Sequence, residues 1–119
     1  MPPVLVVDDS AVVRRTIERR LQGEGLTVVA DGSAAAARAR DLTDVACILV
    51  DIELPDGSGC DLAKDLLARK PGVPVAFFTA GAAEDVLARA RLLGPVFWKP
   101  DVEALVAWTK AAVQPPPTK

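Results

Sequence analysis

The chain has 119 residues, half of them hydrophobic, which is the length of one domain with enough apolar content for a core and excludes a disordered protein. Its 14 Lys and Arg nearly balance 16 Asp and Glu, a formal net charge of −2, which argues against a dedicated nucleic-acid surface. There is no histidine, so a Ser-His or Cys-His catalytic pair, a histidine zinc site and a built-in phosphohistidine are excluded.

The first element is Val4-Leu5-Val6-Val7, an apolar run without alternation that ends in Asp8-Asp9. Such a run reads as a strand buried on both faces, typical of a parallel sheet covered by helices. Ser10 is an N-cap residue, followed by Val13, Ile17 and Leu21 at the spacing of one helix face. Arg14, Arg15, Arg19 and Arg20 are expected to form a solvated face of that helix rather than a nucleic-acid patch. Gly23 and Gly25 stop it. Leu26 to Ala30 reads as a second strand, Asp31-Gly32 as a turn, and Ser33 as the cap of an alanine-rich helix from Ala34 to Arg40.

Cys47 leads into the third strand, Ile48-Leu49-Val50, which ends in Asp51. Pro55-Asp56-Gly57-Ser58-Gly59 reads as a loop, and Asp61 to Arg69 as a helix closed by Pro71 and Gly72. Val75-Ala76-Phe77-Phe78 forms a fourth strand into Thr79, with Ala82 to Leu93 as its helix. Val96-Phe97-Trp98 forms a fifth into Lys99-Pro100, followed by a helix from Asp101 to Val113. The proline-rich residues 114–119 cannot continue a helix and read as a stiff tail or the start of a linker. The expected domain is therefore 1–113. Nothing approaches a transmembrane span and the start lacks a signal-peptide layout, so a cytoplasmic location is expected.

The order is (βα)5. Right-handed crossovers make it a doubly wound, flavodoxin-like α/β fold with a five-stranded parallel sheet of order 2-1-3-4-5. In such a sheet the carboxyl ends of the strands line one crevice. Asp8, Asp9, Asp51, Thr79 and Lys99 each follow an apolar run, so they are expected to converge there. Crowded carboxylates repel, and at least one should have a raised pKa unless a cation is present. A hard cation such as magnesium (Mg2+) prefers such oxygen ligands. Asp51, on the middle strand, is the candidate nucleophile for an aspartyl-phosphate. Lys99 and Thr79 are candidate partners of phosphoryl oxygens, and Ala80 and Gly81 leave room for the group to enter.

These residues give the chain a resemblance to a response-regulator receiver domain of two-component signal transduction. It is carried, from Val4 to about Val113, by Asp8-Asp9-Ser10, by Val50-Asp51-Ile52-Glu53-Leu54-Pro55-Asp56-Gly57, by Thr79-Ala80 and by Lys99-Pro100. The resemblance implies a bacterial phosphoprotein whose Asp51 accepts phosphate from a sensor histidine kinase or phosphotransfer protein. It implies Mg2+ held by Asp9, Asp51 and the backbone carbonyl of Glu53, with Asp8 acting through water. Thr79 and Lys99 would sense the phosphoryl group and alter contacts with a downstream protein or output domain. Direct nucleic-acid or membrane binding is not implied, nor is enzymatic activity beyond the domain's own phosphorylation and dephosphorylation.

Three features depart from the family pattern. Val96 stands where an aromatic switch residue is common, the Gly94–Lys99 link is about two residues short, and Asp101 replaces a hydrophobic residue after Lys-Pro. They keep a non-switching docking module as an alternative. A haloacid-dehalogenase-type phosphatase is a weaker one, because Asp8-Asp9 precedes Asp51-Ile52-Glu53 rather than following it. Cys47 is expected to be a small buried hydrophobe, and Cys60 to lie near a helix N-terminus that favours its thiolate. Trp98 and Trp108 are expected to be partly buried packing residues.

Overall fold

The computed structural model describes residues 2–113. The tail expected at 114–119 lies outside them. Seven strands and five helices follow in the order β1 (Val4–Val7), α1 (Ala11–Gly23), β2 (Val28–Asp31), α2 (Ala34–Arg38), β3 (Cys47–Val50), β4 (Glu53–Leu54), β5 (Gly57–Ser58), α3 (Gly59–Arg69), β6 (Val75–Thr79), α4 (Glu84–Leu93), β7 (Val96–Trp98) and α5 (Val102–Val113). Five of the strands form one parallel sheet of order β2-β1-β3-β6-β7. In order along the chain these are strands one to five, so the expected 2-1-3-4-5 topology is the one observed.

Alternation along the central strands divides the core into two layers. Leu5, Val7, Ile48, Val50, Val75 and Phe77 pack with Ala34, Ala37, Leu62, Leu66, Leu87 and Ala90 of α2, α3 and α4. Val4, Val6, Cys47, Leu49, Ala76 and Phe78 pack with Ile17, Leu21, Leu105 and Val106 of α1 and α5. Both faces of β1, β3 and β6 are therefore covered, which is why those segments are continuously apolar. Phe77 is the largest fully buried side chain, worth about 3 kcal/mol relative to an exposed one.

Several boundaries differ from the sequence expectations. β2 starts at Val28, because the Leu26 N–H instead closes α1 by donating to the Leu21 carbonyl at 3.0 Å. α2 ends at Arg38 rather than Arg40. The Arg69 guanidinium takes the carbonyls of Arg38 and Arg40, at 2.9 and 2.6 Å, while Arg40 turns away to bind Asp31 through two bonds of 2.8 and 2.9 Å. The segment read as a loop after Asp51 holds a short antiparallel hairpin of β4 and β5. α3 starts at Gly59, two residues early, with Ser58 Oγ accepting from the N–H groups of Cys60 and Asp61.

The cysteines divide. Cys47 is fully buried, as expected, and burial pushes its thiol up to about 12. Cys60 does sit in the first turn of α3, but burial raises its pKa, so the expected thiolate preference is not found. Trp108 is half-buried and packs against Phe97 with ring centroids 6.3 Å apart. Trp98 is 44% exposed and joins neither core layer.

Candidate functional site

The strand ends bring the predicted polar residues together. Asp8 directly follows β1 and is 2% exposed. Its Oδ1 accepts from the Ser10 N–H at 2.9 Å, and its Oδ2 lies 2.9 Å from Lys99 Nζ. Asp51 directly follows β3, anchored by its own N–H to the Val7 carbonyl at 2.9 Å. Its Oδ1 accepts from the Glu53 N–H at 3.2 Å, and its Oδ2 accepts from Lys99 Nζ at 2.9 Å. One ammonium thus joins two carboxylates from adjacent strands. Asp9 is exposed, yet one carboxylate oxygen from each of Asp8, Asp9 and Asp51 lies within 4.8 Å of the others.

Lys99 is aimed by the edge pairing of the sheet. Its N–H donates to the Thr79 carbonyl at 2.9 Å, continuing the ladder in which Thr79 stands beside Trp98. Its Nζ also lies 5.9 Å from the Phe78 ring centroid. Thr79 is buried, and its hydroxyl is engaged within its own turn, donating to the Gly81 carbonyl at 3.1 Å and accepting from the Gly81 N–H at 3.3 Å. Asp9, Asp51, Glu53, Thr79, Ala80 and Lys99 line one cleft of about 340 Å³. The cleft matches the size range of small-ligand sites, and Leu54 and Pro55 complete its wall.

Electrostatics separate the two partners of Lys99. Burial opposes the ammonium, but hydrogen bonds to Asp8 and Asp51 outweigh it and hold Lys99 above its ordinary pKa. Burial raises the Asp51 carboxyl, and the charge of Asp8 adds to this, while Lys99 and the Glu53 N–H act in the opposite direction. The ammonium shared by two carboxylates keeps its own charge without fully compensating that of Asp51. The expectation that one of the crowded carboxyls is raised therefore holds.

Two backbone features position Asp51. A Cβ on Gly59 would lie 2.0 Å from the Asp51 carbonyl oxygen, so only glycine lets the first turn of α3 close on the strand end. The Gly59 N–H donates to the Ile52 carbonyl there, at 2.6 Å. Asp56, in the hairpin turn, accepts from the N–H groups of Ala34 and Ala35 at 2.8 and 2.9 Å and so ties α2 to the Asp51 loop. That cap was not anticipated, because its partners lie 22 and 21 residues away. Of the four arginines read as a solvated face, Arg15 and Arg19 are exposed. Arg20 instead bridges to Glu103 of α5, and Arg14 donates to the Asp8 carbonyl.

The family model for the response regulator receiver domain matches residues 4–96. The chain belongs to that family. The receiver domain resembles the probable transcriptional regulatory protein TcrX of Mycobacterium tuberculosis, at 43% identity over 71% of this chain. It also resembles the transcriptional regulatory protein FixJ of Azorhizobium caulinodans, at 33% over 93%, and the DNA-binding transcriptional regulator NtrC of Salmonella typhimurium, at 34% over 92%. It spans 37%, 54% and 24% of the length of those three.

Solved structures share the fold. The non-phosphorylated HemR receiver domain from Leptospira biflexa has a TM-score of 0.83 at 25% identity, with 100% of both chains covered. A CheY-like receiver domain protein from Methanospirillum hungatei has a TM-score of 0.86 at 23% identity, covering 95% of this chain and 94% of its own. The chain is thus a two-component receiver with a doubly wound fold. Among the described residues, no helix is long and apolar enough to cross a membrane.

Proposed function

We propose that this receiver accepts one phosphoryl group on Asp51 and signals through phosphorylation-dependent protein contacts. The observation that carries this reading is the shared ammonium. Lys99 lies 2.9 Å from both Asp8 and Asp51 at the mouth of a cleft that Asp9 and Thr79 also line. Three carboxylates facing one ammonium leave an uncompensated negative charge, and an all-oxygen donor set suits a hard divalent cation. Asp9, Asp51 and the Glu53 carbonyl would hold Mg2+ directly, with Asp8 acting through water. When bound, the ion supplies positive charge to the carboxylates and to the phosphoryl oxygens.

The residues divide the remaining work. An Asp51 carboxylate oxygen forms the new O–P bond as the N–P bond of the donor phosphohistidine breaks, and the departing imidazole takes up a proton. Lys99 balances charge on one phosphoryl oxygen, and Thr79 offers its hydroxyl to another once it leaves the Gly81 carbonyl. The donor is a sensor histidine kinase or phosphotransfer protein, and the recipient of the signal is a downstream protein or an attached output domain. The receiver unit is residues 1–113, with 114–119 as a tail or linker, and it works in the cytoplasm without direct nucleic-acid or membrane binding. It catalyses only its own phosphorylation and dephosphorylation. The family match supports neither the phosphatase reading nor the docking module.

Incubation with acetyl phosphate and Mg2+ should add the mass of one phosphoryl group to the intact protein. Asp51→Asn should abolish the addition, and chelation of Mg2+ should stop it. Undiminished labelling of Asp51→Asn would overturn the choice of nucleophile.

A further inference from the structure

We infer that Arg14 is a positioning residue for the acidic pair, acting through the main chain of Asp8; the inference rests on the metal-site reading above. Arg14 Nη1 donates to the Asp8 carbonyl oxygen at 2.7 Å, across six residues and from the fourth residue of α1. That carbonyl belongs to the peptide unit joining Asp8 to Asp9, and a peptide unit is planar, so its direction sets where the Asp9 backbone begins.

The other polar groups of Asp8 are also engaged. Its N–H donates to the Asp31 carbonyl at 3.1 Å, Oδ1 accepts from Ser10, and Oδ2 meets Lys99. Asp9, in contrast, is exposed and reaches the carboxylate cluster from a peptide whose orientation Arg14 holds. The guanidinium occupies a slot that the β2–α2 turn leaves open. A Cβ on Gly32 would stand 3.0 Å from Arg14 Nη1, whereas hydrogen alone leaves the group in ordinary contact. Asp31, beside that glycine, is fixed in turn by the two bonds from Arg40. Arg14 therefore links the β1–α1 and β2–α2 turns at the Asp8–Asp9 peptide. Supporting groups behind metal-binding carboxylates typically change metal affinity by about tenfold or more when removed.

The test compares Arg14→Ala, Arg14→Lys, Gly32→Ala and, as an exposed control on the same helix, Arg19→Ala. Amide chemical shifts and hydrogen exchange of the metal-free proteins are read first. Arg14→Ala should shift the Asp9 and Ser10 amides and speed their exchange, Gly32→Ala should do so less, and Arg19→Ala should leave them unchanged. Calorimetric titration with Mg2+ alone should then show affinity reduced about tenfold in Arg14→Ala and partly restored in Arg14→Lys. Unmoved Asp9 and Ser10 amides in Arg14→Ala overturn the clamp whatever the metal does. Shifted amides with unchanged Mg2+ affinity overturn its link to the metal site. A wild type that shows no Mg2+ affinity, with shifted amides in the variant, overturns the metal reading and that link while the clamp stands.

Discussion

The Lys99 ammonium lies 2.9 Å from the Asp51 carboxylate, yet Asp51 remains above its ordinary pKa. The cause is burial of Asp51 together with the neighbouring charge of Asp8, which shares the same ammonium. In the pH range from the ordinary value of 3.8 upward to the folded value, the native state binds more protons than the unfolded state. Unfolding free energy must then fall as pH rises through that range. Asp51→Asn removes this loss. In metal-free buffer at neutral pH its urea midpoint should exceed that of the wild type, and the gap should close in acid, where Asp51 is neutral in both states. If the proposed metal site holds, saturating Mg2+ should reverse the order, because only the wild type keeps all three carboxylates of the cluster. A neutral-pH midpoint at or below that of the wild type would count against the charge imbalance.

Thr79 and Lys99 should separate on mutation. Thr79→Ala keeps Asp51, the proposed nucleophile, and the other two carboxylates of the cluster, so it should still accept phosphate from acetyl phosphate. It should lose the amide shifts that follow, since no hydroxyl is left to turn from Gly81 toward the phosphoryl group. Lys99→Ala should slow phosphorylation by about a hundredfold, the usual scale for removing one charge-stabilising donor. Wild-type spectral changes in phosphorylated Thr79→Ala would rule out this division.

The two glycines at helix ends should behave in opposite ways. Gly59→Ala would place a methyl 2.0 Å from the Asp51 carbonyl oxygen, and forced overpacking of this kind costs about 3 kcal/mol. The same change should lower the phosphorylation rate by moving the strand end. At Gly23, in the last turn of α1, no atom lies within 4 Å of an added Cβ. Gly23→Ala should stabilise by about 0.5 kcal/mol through the unfolded chain. Urea unfolding of both variants checks the pair, and a Gly59→Ala midpoint equal to that of the wild type would disprove the close approach.

Trp98 offers a reporter of switching. Val96 packs against the core layer of α3 and α4, and Trp98, two residues on, points to the same side of β7 but is 44% exposed. It stands in register with Thr79. A rearrangement of Thr79 on phosphorylation should therefore alter its surroundings. In a Trp108→Phe background, a beryllofluoride mimic should change Trp98 emission, and Thr79→Ala should remove the change. Silent emission, with unshifted amides in α4 and α5, would leave a receiver in which Trp98 and those two helices do not respond.

Much of this was legible because parallel strands buried on both faces are written as unbroken apolar runs. Val4 to Val7, Ile48 to Val50 and Val75 to Phe78 identify themselves, and the polar residue after each lies at the strand end by necessity. Strand order followed from crossover handedness, and with it the meeting of Asp8, Asp51, Thr79 and Lys99 at one edge. Local chemistry also marked Ser10 and Ser33 as caps, and both accept the expected backbone N–H groups.

Tertiary structure alone decided what depends on partners distant in sequence. The end of α2 is set by Arg69 and Asp31, the tie between that helix and the Asp51 loop by Asp56, and the placement of the Arg14 guanidinium by a slot over Gly32. Cys60 lost its expected thiolate preference because burial outweighed its helix position, and Trp98 reached solvent because it lies on an edge strand. Hydrophobic periodicity records which face of a segment is covered. It carries no record of which long side chain crosses to another loop, because that depends on distances set only once all five strands are paired.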